Sequence, residues 1–305
     1  MNFFDLHCDT ATKCVDMNCN LSSDTMVSLD KRGKIDKWVQ MFAIFLYSNQ
    51  TDELARIEYL RYLKGFMAIL EAENERISLC KNIEEIKKAH SVGKCAAILT
   101  IENGAALGGR LENIALAADD SVKAIAITWN GENALGFGSD VGGHLKPFGR
   151  EAVIEMINQG IVPDISHLSD EGADDVFCLT DNPIIATHSN LKKVCSHCRN
   201  LNDGQFKEIV RRKGLVGINL CTKFLDKDSN VTWDTFFRHV DAMLELGGEN
   251  IIAFGSDFDG ADMPDICRNL GDIPTVYGQF KIRYGTEQAN KIFFQNAQDF
   301  FSRAF

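Results

Sequence analysis

Eight short segments of the chain are apolar almost throughout, and each is predicted to be a buried β-strand. Strands of a parallel sheet are covered by helices on both faces, so their sequences contain few polar positions. The segments are residues 2–6, 39–46, 94–101, 122–128, 161–166, 183–187, 215–220 and 251–255. We therefore expect a parallel sheet rather than an antiparallel one.

Apolar residues at intervals of three and four fill most of the stretches between these segments, which predicts helices. Pro147 opens one of them, and Ser169 is placed to cap another. The helices are predicted at residues 51–80, 82–89, 111–118, 147–159, 169–179, 202–213, 233–246 and 285–305. Strands that alternate with helices in this number predict an α/β fold, a single (β/α)8 TIM-type barrel. No Pro/Ser-rich linker or repeat divides the sequence, so residues 1–305 are expected to form one domain.

The composition and net charge limit the kinds of molecule that the protein is expected to bind. The formal net charge is -11, and a surface with an acidic excess does not suit nucleic acid. The opening MNFFDLHCDT lacks the basic and apolar regions of a signal peptide, and no apolar run is long enough to cross a membrane. We expect a soluble, cytoplasmic protein whose ten cysteines are free thiols.

Residues that bind metals follow the predicted strands. The carboxyl ends of barrel strands meet at one face, where barrel enzymes hold their active sites. The residues are His7 and Asp9 after the first strand, Glu102 after the third, His167 and His188 after the fifth and sixth, and Asp257 after the last. We expect their side chains to point into the same space.

This set of side chains favours a hydrolytic metal site. Imidazole and carboxylate are the usual ligands of catalytic zinc. Three histidines and two carboxylates exceed the needs of one tetrahedral ion and suit two ions that share a carboxylate. Glu102 lies between the two histidine groups in the strand order and is predicted to bridge the ions, which leaves Asp257 free to move protons.

At these residues the chain resembles the membrane (renal) dipeptidase family of zinc metallopeptidases. The resemblance extends along most of the sequence, and its most specific part is a series of motifs in a fixed order. They are LHCD at residues 6–9, PFGRE at 147–151, DISHLSD at 164–170, ATHSN at 186–190 and GSDFDG at 255–260.

The resemblance implies a (β/α)8 barrel with two zinc ions per chain, usually in a homodimer. In that family, residues at the positions of His7 and Asp9 bind one zinc ion. The residue at the position of Glu102 bridges the ions, and those at His167 and His188 bind the second one.

The resemblance also implies roles around the substrate. Arg199 matches an arginine that binds the substrate carboxylate, a task that suits the fixed geometry of guanidinium. Asp257 matches the catalytic acid and base. Trp129 stands where the family has a histidine near the scissile carbonyl, and an indole cannot accept a proton. Either Asn130 or Asn133 is expected to take over part of that role, and Trp129 and Asn130 are both predicted to contact the substrate.

Cys221 is a second departure, because the better-known family members have a tyrosine there. Both departures bear on substrate preference more than on metal binding, since all five predicted ligand positions are kept.

These observations predict a zinc-dependent dipeptidase, a hydrolase in which a hydroxide that bridges the two zinc ions attacks the peptide bond of a short dipeptide. The alternative is a related metal-dependent amidohydrolase acting on an N-acyl amino acid, a lactam or a cyclic amide, since a fold does not fix a function. A third interpretation is a metal-binding relative without catalytic activity, which the intact Asp257 disfavours.

Overall fold

The chain folds into a closed parallel barrel, as the sequence predicts. The structure is a computed structural model and describes residues 1–48 and 50–305. The strands are β1 (Phe3–Asp5), β2 (Trp38–Phe45), β3 (Ile77–Leu79), β4 (Cys95–Glu102), β5 (Val122–Ala126), β6 (Val162–Asp164), β7 (Ile185–Ala186), β8 (Leu215–Ile218) and β9 (Ile252–Phe254). Eight of them form the barrel in the order β2-β1-β9-β8-β7-β6-β5-β4, and a pairing of β4 with β2 closes it.

Strand β3 is an addition outside the barrel that the sequence prediction missed. It pairs only with β4, and Ile77 lies opposite Cys95. The helix predicted over residues 51–80 is therefore too long, because it ends at Ala72. The polar stretch 73–76 follows, and the apolar residues after it continue as an extended segment along the edge of β4 rather than on the helix.

Helices follow most of the barrel strands and cover them from outside. They are α1 (Thr10–Asp16), α2 (Asp52–Ala72), α3 (Ile83–Ser91), α4 (Glu112–Asp119), α5 (Pro147–Asn158), α6 (Asp170–Leu179), α7 (Asp203–Arg211), α8 (Thr222–Leu225), α9 (Trp233–Glu245), α10 (Ile273–Asn290) and α11 (Asn296–Ala304). Within the described residues, no helix combines the length and the apolar character needed to cross a membrane.

The ends of α6 and α10 show how well the sequence predicts where helices begin and end. Ser169 caps α6, since its hydroxyl accepts a hydrogen bond from the backbone N–H of Gly172 at 3.1 Å. The sequence prediction missed the helical residues from Ile273 to Tyr284, although its start for the closing helix, Gly285, coincides with a break inside α10. Gly285 has a φ of +80° and interrupts α10, and a π-helical turn, Lys291–Gln295, joins α10 to α11.

The last helices complete the core around the first and last barrel strands. The rings of Phe254 and Phe293 have centroids 4.7 Å apart, and those of Phe3 and Phe254 lie 5.6 Å apart in an edge-to-face arrangement. All three side chains are fully buried. The carboxyl terminus of the chain therefore fixes β1 and β9, the strands that precede His7 and Asp257.

Two glycines allow the barrel strands to approach each other beneath the site. A Cβ atom on Gly217 of β8 would lie 1.9 Å from the carbonyl oxygen of Thr187, and one on Gly255 would lie 1.8 Å from the same oxygen. No side chain fits in these two positions. The absence of a Cβ at both positions thus sets the place of the backbone that carries His188.

We expect Gly217→Ala to destabilise the protein by about 1–3 kcal/mol, because the added methyl group must displace the Thr187 carbonyl. Gly278→Ala is the matched control. Gly278 lies inside α10, and a Cβ atom added there would have no other atom within 4 Å, so alanine is expected to add about 0.5–1 kcal/mol of stability. Urea denaturation measures both variants, and an unchanged midpoint for Gly217→Ala would contradict the packing argument.

Candidate metal centre

The structure brings the predicted ligands and Asp257 together at the carboxyl ends of five barrel strands. Glu102, the last residue of β4, lies at the centre of this cluster. Its Oε1 is 2.7 Å from Nε2 of His167 and 3.6 Å from Nε2 of His188, and its Oε2 is 3.3 Å from Nε2 of His7. Nε2 of His7 is in turn 3.4 Å from Oδ2 of Asp9. The carboxylate of Glu102 therefore faces histidines on both of its sides.

Three overlapping groups of side chains have ligand atoms close enough to hold a metal ion. His7 and Asp9 form one group with Glu102, and His167 and His188 form another with it. The third group contains His7, His188 and Asp257. Asp257 thus lies within reach of an ion as well as of a substrate, which reasoning from the sequence did not anticipate.

The orphaned polar atoms of this cluster fit a bound cation. Within the part of the chain that the structure describes, the buried Nε2 of His7 and the buried Oδ1 of Asp9 have no hydrogen-bond partner. Nε2 of His167 lies 2.8 Å from Nε2 of His188, although only one proton can lie between two ring nitrogens. A cation would use the lone pairs of both. Imidazole and carboxylate donors in this combination suit zinc.

The far sides of the two imidazoles are hydrogen-bonded, which fixes the orientation of the rings. Nδ1 of His167 lies 2.6 Å from Oδ1 of Asn130, and this acceptor requires the proton to be on Nδ1. The hydroxyl of Thr187 donates its proton to the buried carboxylate of Asp164, so its Oγ1 accepts a hydrogen bond from Nδ1 of His188 at 2.8 Å. Such contacts leave Nε2 unprotonated toward the cluster and are typical of metal-binding histidines.

Two residues of the cluster have a backbone conformation that side chains seldom adopt. His167 has a φ of +70° and Asp257 a φ of +63°. Residues other than glycine in this region cost about 1–3 kcal/mol each and concentrate at functional sites. The surrounding barrel therefore holds these side chains toward the cluster against a local preference.

Burial and neighbouring charges shift the pKa values of the three histidines in different directions. Burial alone would lower the pKa of His7, but the carboxylates of Glu102 and Asp9 raise that pKa well above its usual range. Burial followed by the charge of Arg199 lowers the pKa of His167 to about 3. Burial and then His7 hold the pKa of His188 well below its usual range. His167 and His188 are therefore neutral near pH 7 and have a free lone pair.

The carboxylate of Glu102 is ionised in spite of its burial. Burial favours the neutral acid, but the surrounding imidazoles, first of all the charge of His7, hold its pKa well below the usual range. Ionised carboxylates and neutral imidazoles are the forms that bind metals. A divalent cation would take the place of the proton on His7, which is the group that balances the charge of the carboxylates here.

A cavity of about 660 Å³ opens above the cluster. Trp129 and Asn130, the two residues predicted to contact the substrate, line it, and so does Cys221. Arg199 does not line this cavity; it is almost fully buried, and its Nη2 donates a hydrogen bond to the carbonyl oxygen of His188 at 3.2 Å. Its Nε has no partner among residues 1–48 and 50–305.

Reasoning from the sequence missed the supporting residues. Thr187 and Asp164 orient His188, and Asn219 donates a hydrogen bond from Nδ2 to Oδ2 of Asp257 at 2.9 Å. The sequence signal that could have identified these residues is their polar character at the ends of otherwise apolar strands. The carboxylate of Asp259 accepts hydrogen bonds from Thr10 and from the backbone N–H of Met26.

We expect Thr187→Val to weaken metal binding about 10–100-fold, because it removes the hydroxyl that orients His188 while keeping a branched side chain. Thr128→Val is the control. The hydroxyl of Thr128 is buried and has no hydrogen-bond partner in the described residues, so its loss should leave metal affinity unchanged. Chelator competition with the purified proteins measures the affinities. Equal affinities for the two variants would show that the Thr187 contact has no such role.

Comparison with known proteins gives a consistent result. The family model described as membrane dipeptidase, peptidase family M19, matches residues 1–304. The crystal structure of a dipeptidase and metallopeptidase of family M19 superposes with a TM-score of 0.93 and 26% identity, over 100% of this chain and 98% of that chain.

Two further proteins are similar to this chain. A metallopeptidase from Rhodobacter sphaeroides, crystallised with a phosphinate mimic of the dipeptide L-Ala-D-Ala, superposes with a TM-score of 0.94 and 25% identity over 100% of this chain and 99% of that one. An uncharacterised Klebsiella pneumoniae protein from the pqqA 5' region is 30% identical over 213 residues, 66% of this chain and 79% of that protein. With its barrel, its cluster of ligands and a match over nearly its whole length, the chain belongs to the membrane dipeptidase family, peptidase family M19.

Proposed function

We propose that this protein is a zinc-dependent dipeptidase that uses two zinc ions per chain. The observation that carries the proposal is the position of Glu102, whose two oxygens face different histidine groups. His7 and Asp9 would hold one ion, His167 and His188 the other, and Glu102 would bridge them. The dipeptide mimic bound to the similar Rhodobacter sphaeroides enzyme supports a dipeptide as the substrate.

Zinc ions at these positions would lower the pKa of a water molecule and polarise the scissile carbonyl. The proton transfers fall to Asp257, which lines the cavity next to the cluster. Burial raises its pKa, while His7, the hydrogen bond from Asn219 and Arg199 oppose that rise. We propose that this carboxylate accepts the proton of the attacking water and delivers it to the leaving amine.

Arg199 would bind the C-terminal carboxylate of the dipeptide. Its guanidinium is nearly buried and keeps an unpartnered Nε, so part of its hydrogen-bonding capacity is left for a ligand. Its Cζ atom lies 5.4 Å from the ring centre of Phe224, which lines the cavity. Trp129 and Asn130 would contact the rest of the substrate, although Asn130 also orients His167.

The second candidate function is hydrolysis of another small amide, such as an N-acyl amino acid, a lactam or a cyclic amide. Trp129 favours it, because the indole lines the cavity where the family has a histidine. A substrate panel distinguishes the two candidates.

The homodimer, the cytoplasmic location and the organisation of residues 1–305 as one domain are further parts of the proposal. The exposed face of α2 offers apolar side chains for contact with a second copy, namely Leu54, Ile57 and Leu60.

The purified protein is expected to contain two zinc ions per chain and to hydrolyse dipeptides in a chelator-sensitive manner. Asp257→Asn should lower kcat by about 10²–10⁴-fold, because the amide cannot carry the proton. Metal content is determined on the same samples, and the exposed Asp265→Asn serves as the control. An Asp257→Asn enzyme with full metal and undiminished kcat would refute the acid and base role. Two metals without cleavage of any dipeptide would favour the second candidate function.

We expect Arg199→Lys to raise KM for dipeptides about tenfold or more, because lysine keeps the charge but loses the two-pronged hydrogen bond to a carboxylate. The matched substrates are a dipeptide and its C-terminal amide, which lacks that negative charge. The wild-type enzyme should prefer the free acid, and the variant should lose most of that preference. If the variant weakens both substrates equally while binding less metal, Arg199 acts through His188 instead.

A further inference from the structure

Three aromatic side chains form one side of the cavity: Phe45, Tyr47 and Trp129, here called the aromatic wall. Their rings pack edge to face. The centroids of Phe45 and Tyr47 are 4.8 Å apart, those of Phe45 and Trp129 5.1 Å, and those of Tyr47 and Trp129 5.8 Å. Aromatic pairs favour this arrangement, so the three rings support one another.

The wall is held rigidly and is partly open to solvent. Ser48 follows Tyr47, and its hydroxyl accepts a hydrogen bond from the backbone N–H of Gly131 at 3.1 Å, which ties the two loops together. A Cβ atom on Gly131 would lie 2.7 Å from Cβ of Ser48, so the approach needs a glycine. Tyr47 is 54% exposed. Contiguous aromatic surface that faces a cavity is typical of a binding site.

The position of the wall in the barrel relates it to the metal cluster. Phe45 ends β2 and Trp129 follows β5, and these two strands flank β4, which ends in Glu102. On the opposite side of the closed barrel lies β8, which Cys221 and Phe224 follow. Arg199 stacks near Phe224 on that side. The metal cluster therefore lies between the wall and Arg199, and the wall approaches it closely, with the Trp129 ring 6.2 Å from that of His167.

We propose that the aromatic wall selects dipeptides that carry an aromatic or large aliphatic side chain on the N-terminal residue. This inference rests on the proposed function, in which Arg199 holds the C-terminal carboxylate. With the scissile carbonyl above the cluster, the N-terminal residue points away from Arg199 and toward the wall. Its side chain then packs against Trp129 and Tyr47, and the apolar surface of both partners leaves water.

Trp129 is the residue that determines the specificity in this arrangement. A histidine at this position would offer a smaller and more polar surface, whereas the indole offers a broad apolar face. The cavity of about 660 Å³ leaves room for such a side chain beside the dipeptide backbone.

The test compares Phe-Ala, Ala-Phe and Ala-Ala as substrates, together with phosphinate analogues of Phe-Ala and Ala-Ala as inhibitors. For the wild-type enzyme, kcat/KM for Phe-Ala should exceed that for Ala-Ala and Ala-Phe by about tenfold or more, and the inhibition constants of the two analogues should differ in the same direction. Trp129→Ala should remove most of this preference. Met17→Ala is the control, because Met17 is an exposed apolar residue that lines the cavity outside the wall, and the preference should be retained there.

The outcomes separate this inference from the proposed function. If the wild-type enzyme cleaves none of the three dipeptides, the proposed function itself is wrong. If it cleaves Phe-Ala and Ala-Ala equally well, or prefers Ala-Phe, only the N-terminal selection is refuted. A loss of preference in Met17→Ala as large as in Trp129→Ala would also refute the role of the wall. The inhibition constants report affinity without turnover, so an effect of Trp129→Ala on rate alone would contradict the packing proposed here.

Discussion

The structure depends on one buried carboxylate, Glu102, at the end of β4. A carboxylate in the interior of a protein is strongly disfavoured unless charged or hydrogen-bonding partners compensate it. Here the partners are imidazoles from strands on other parts of the barrel, with the nearest contact at 2.7 Å. Asp9 and Asp257 bring two more carboxyl groups to the same place, and burial followed by the charge of Glu102 raises the pKa of Asp9 well above its usual range. This concentration of carboxyl groups and imidazoles suits bound divalent cations.

The backbone beneath the cluster positions the side chains that surround Glu102. Gly217 and Gly255 allow β8 and β9 to contact the Thr187 carbonyl, which sets the position of His188. Left-handed backbone at His167 and Asp257 turns both side chains into the mouth of the barrel. Hydrogen bonds that the imidazoles donate to Asn130 and Thr187 then fix the orientation of the rings. Substitutions that never touch a ligand atom can therefore alter metal binding.

The sequence revealed the barrel and the convergence of the ligands because both depend on strand ends, which apolar patterns mark well. His7, Glu102 and His188 each follow or end such a segment. The apolar pattern did not predict the correct element where its periodicity fits more than one type of secondary structure. Strand β3 was absorbed into a helix, since a three-residue edge strand leaves too short a signal. The helical residues from Ile273 to Tyr284 were missed, whereas Gly285, with a φ of +80°, is a true break in the helical backbone and was readable as the start of a new segment. Hydrogen bonds such as Asn219 to Asp257 join residues distant in sequence and have no local pattern at all.

The predicted metal ligands and the aromatic wall follow different barrel strands, so their sequences can change separately. The predicted metal ligands lie at the ends of β1, β4, β6 and β7, and their geometry is constrained by contacts within the barrel. The aromatic wall comes from the ends of β2 and β5, where Tyr47 and Trp129 belong to loops that are linked to each other by Ser48 and Gly131. The rings of Trp129 and His167 lie 6.2 Å apart, and none of the three groups that could hold a metal ion includes a residue of the wall. We therefore expect a tryptophan in place of a histidine to act on which substrates reach the cluster rather than on metal binding.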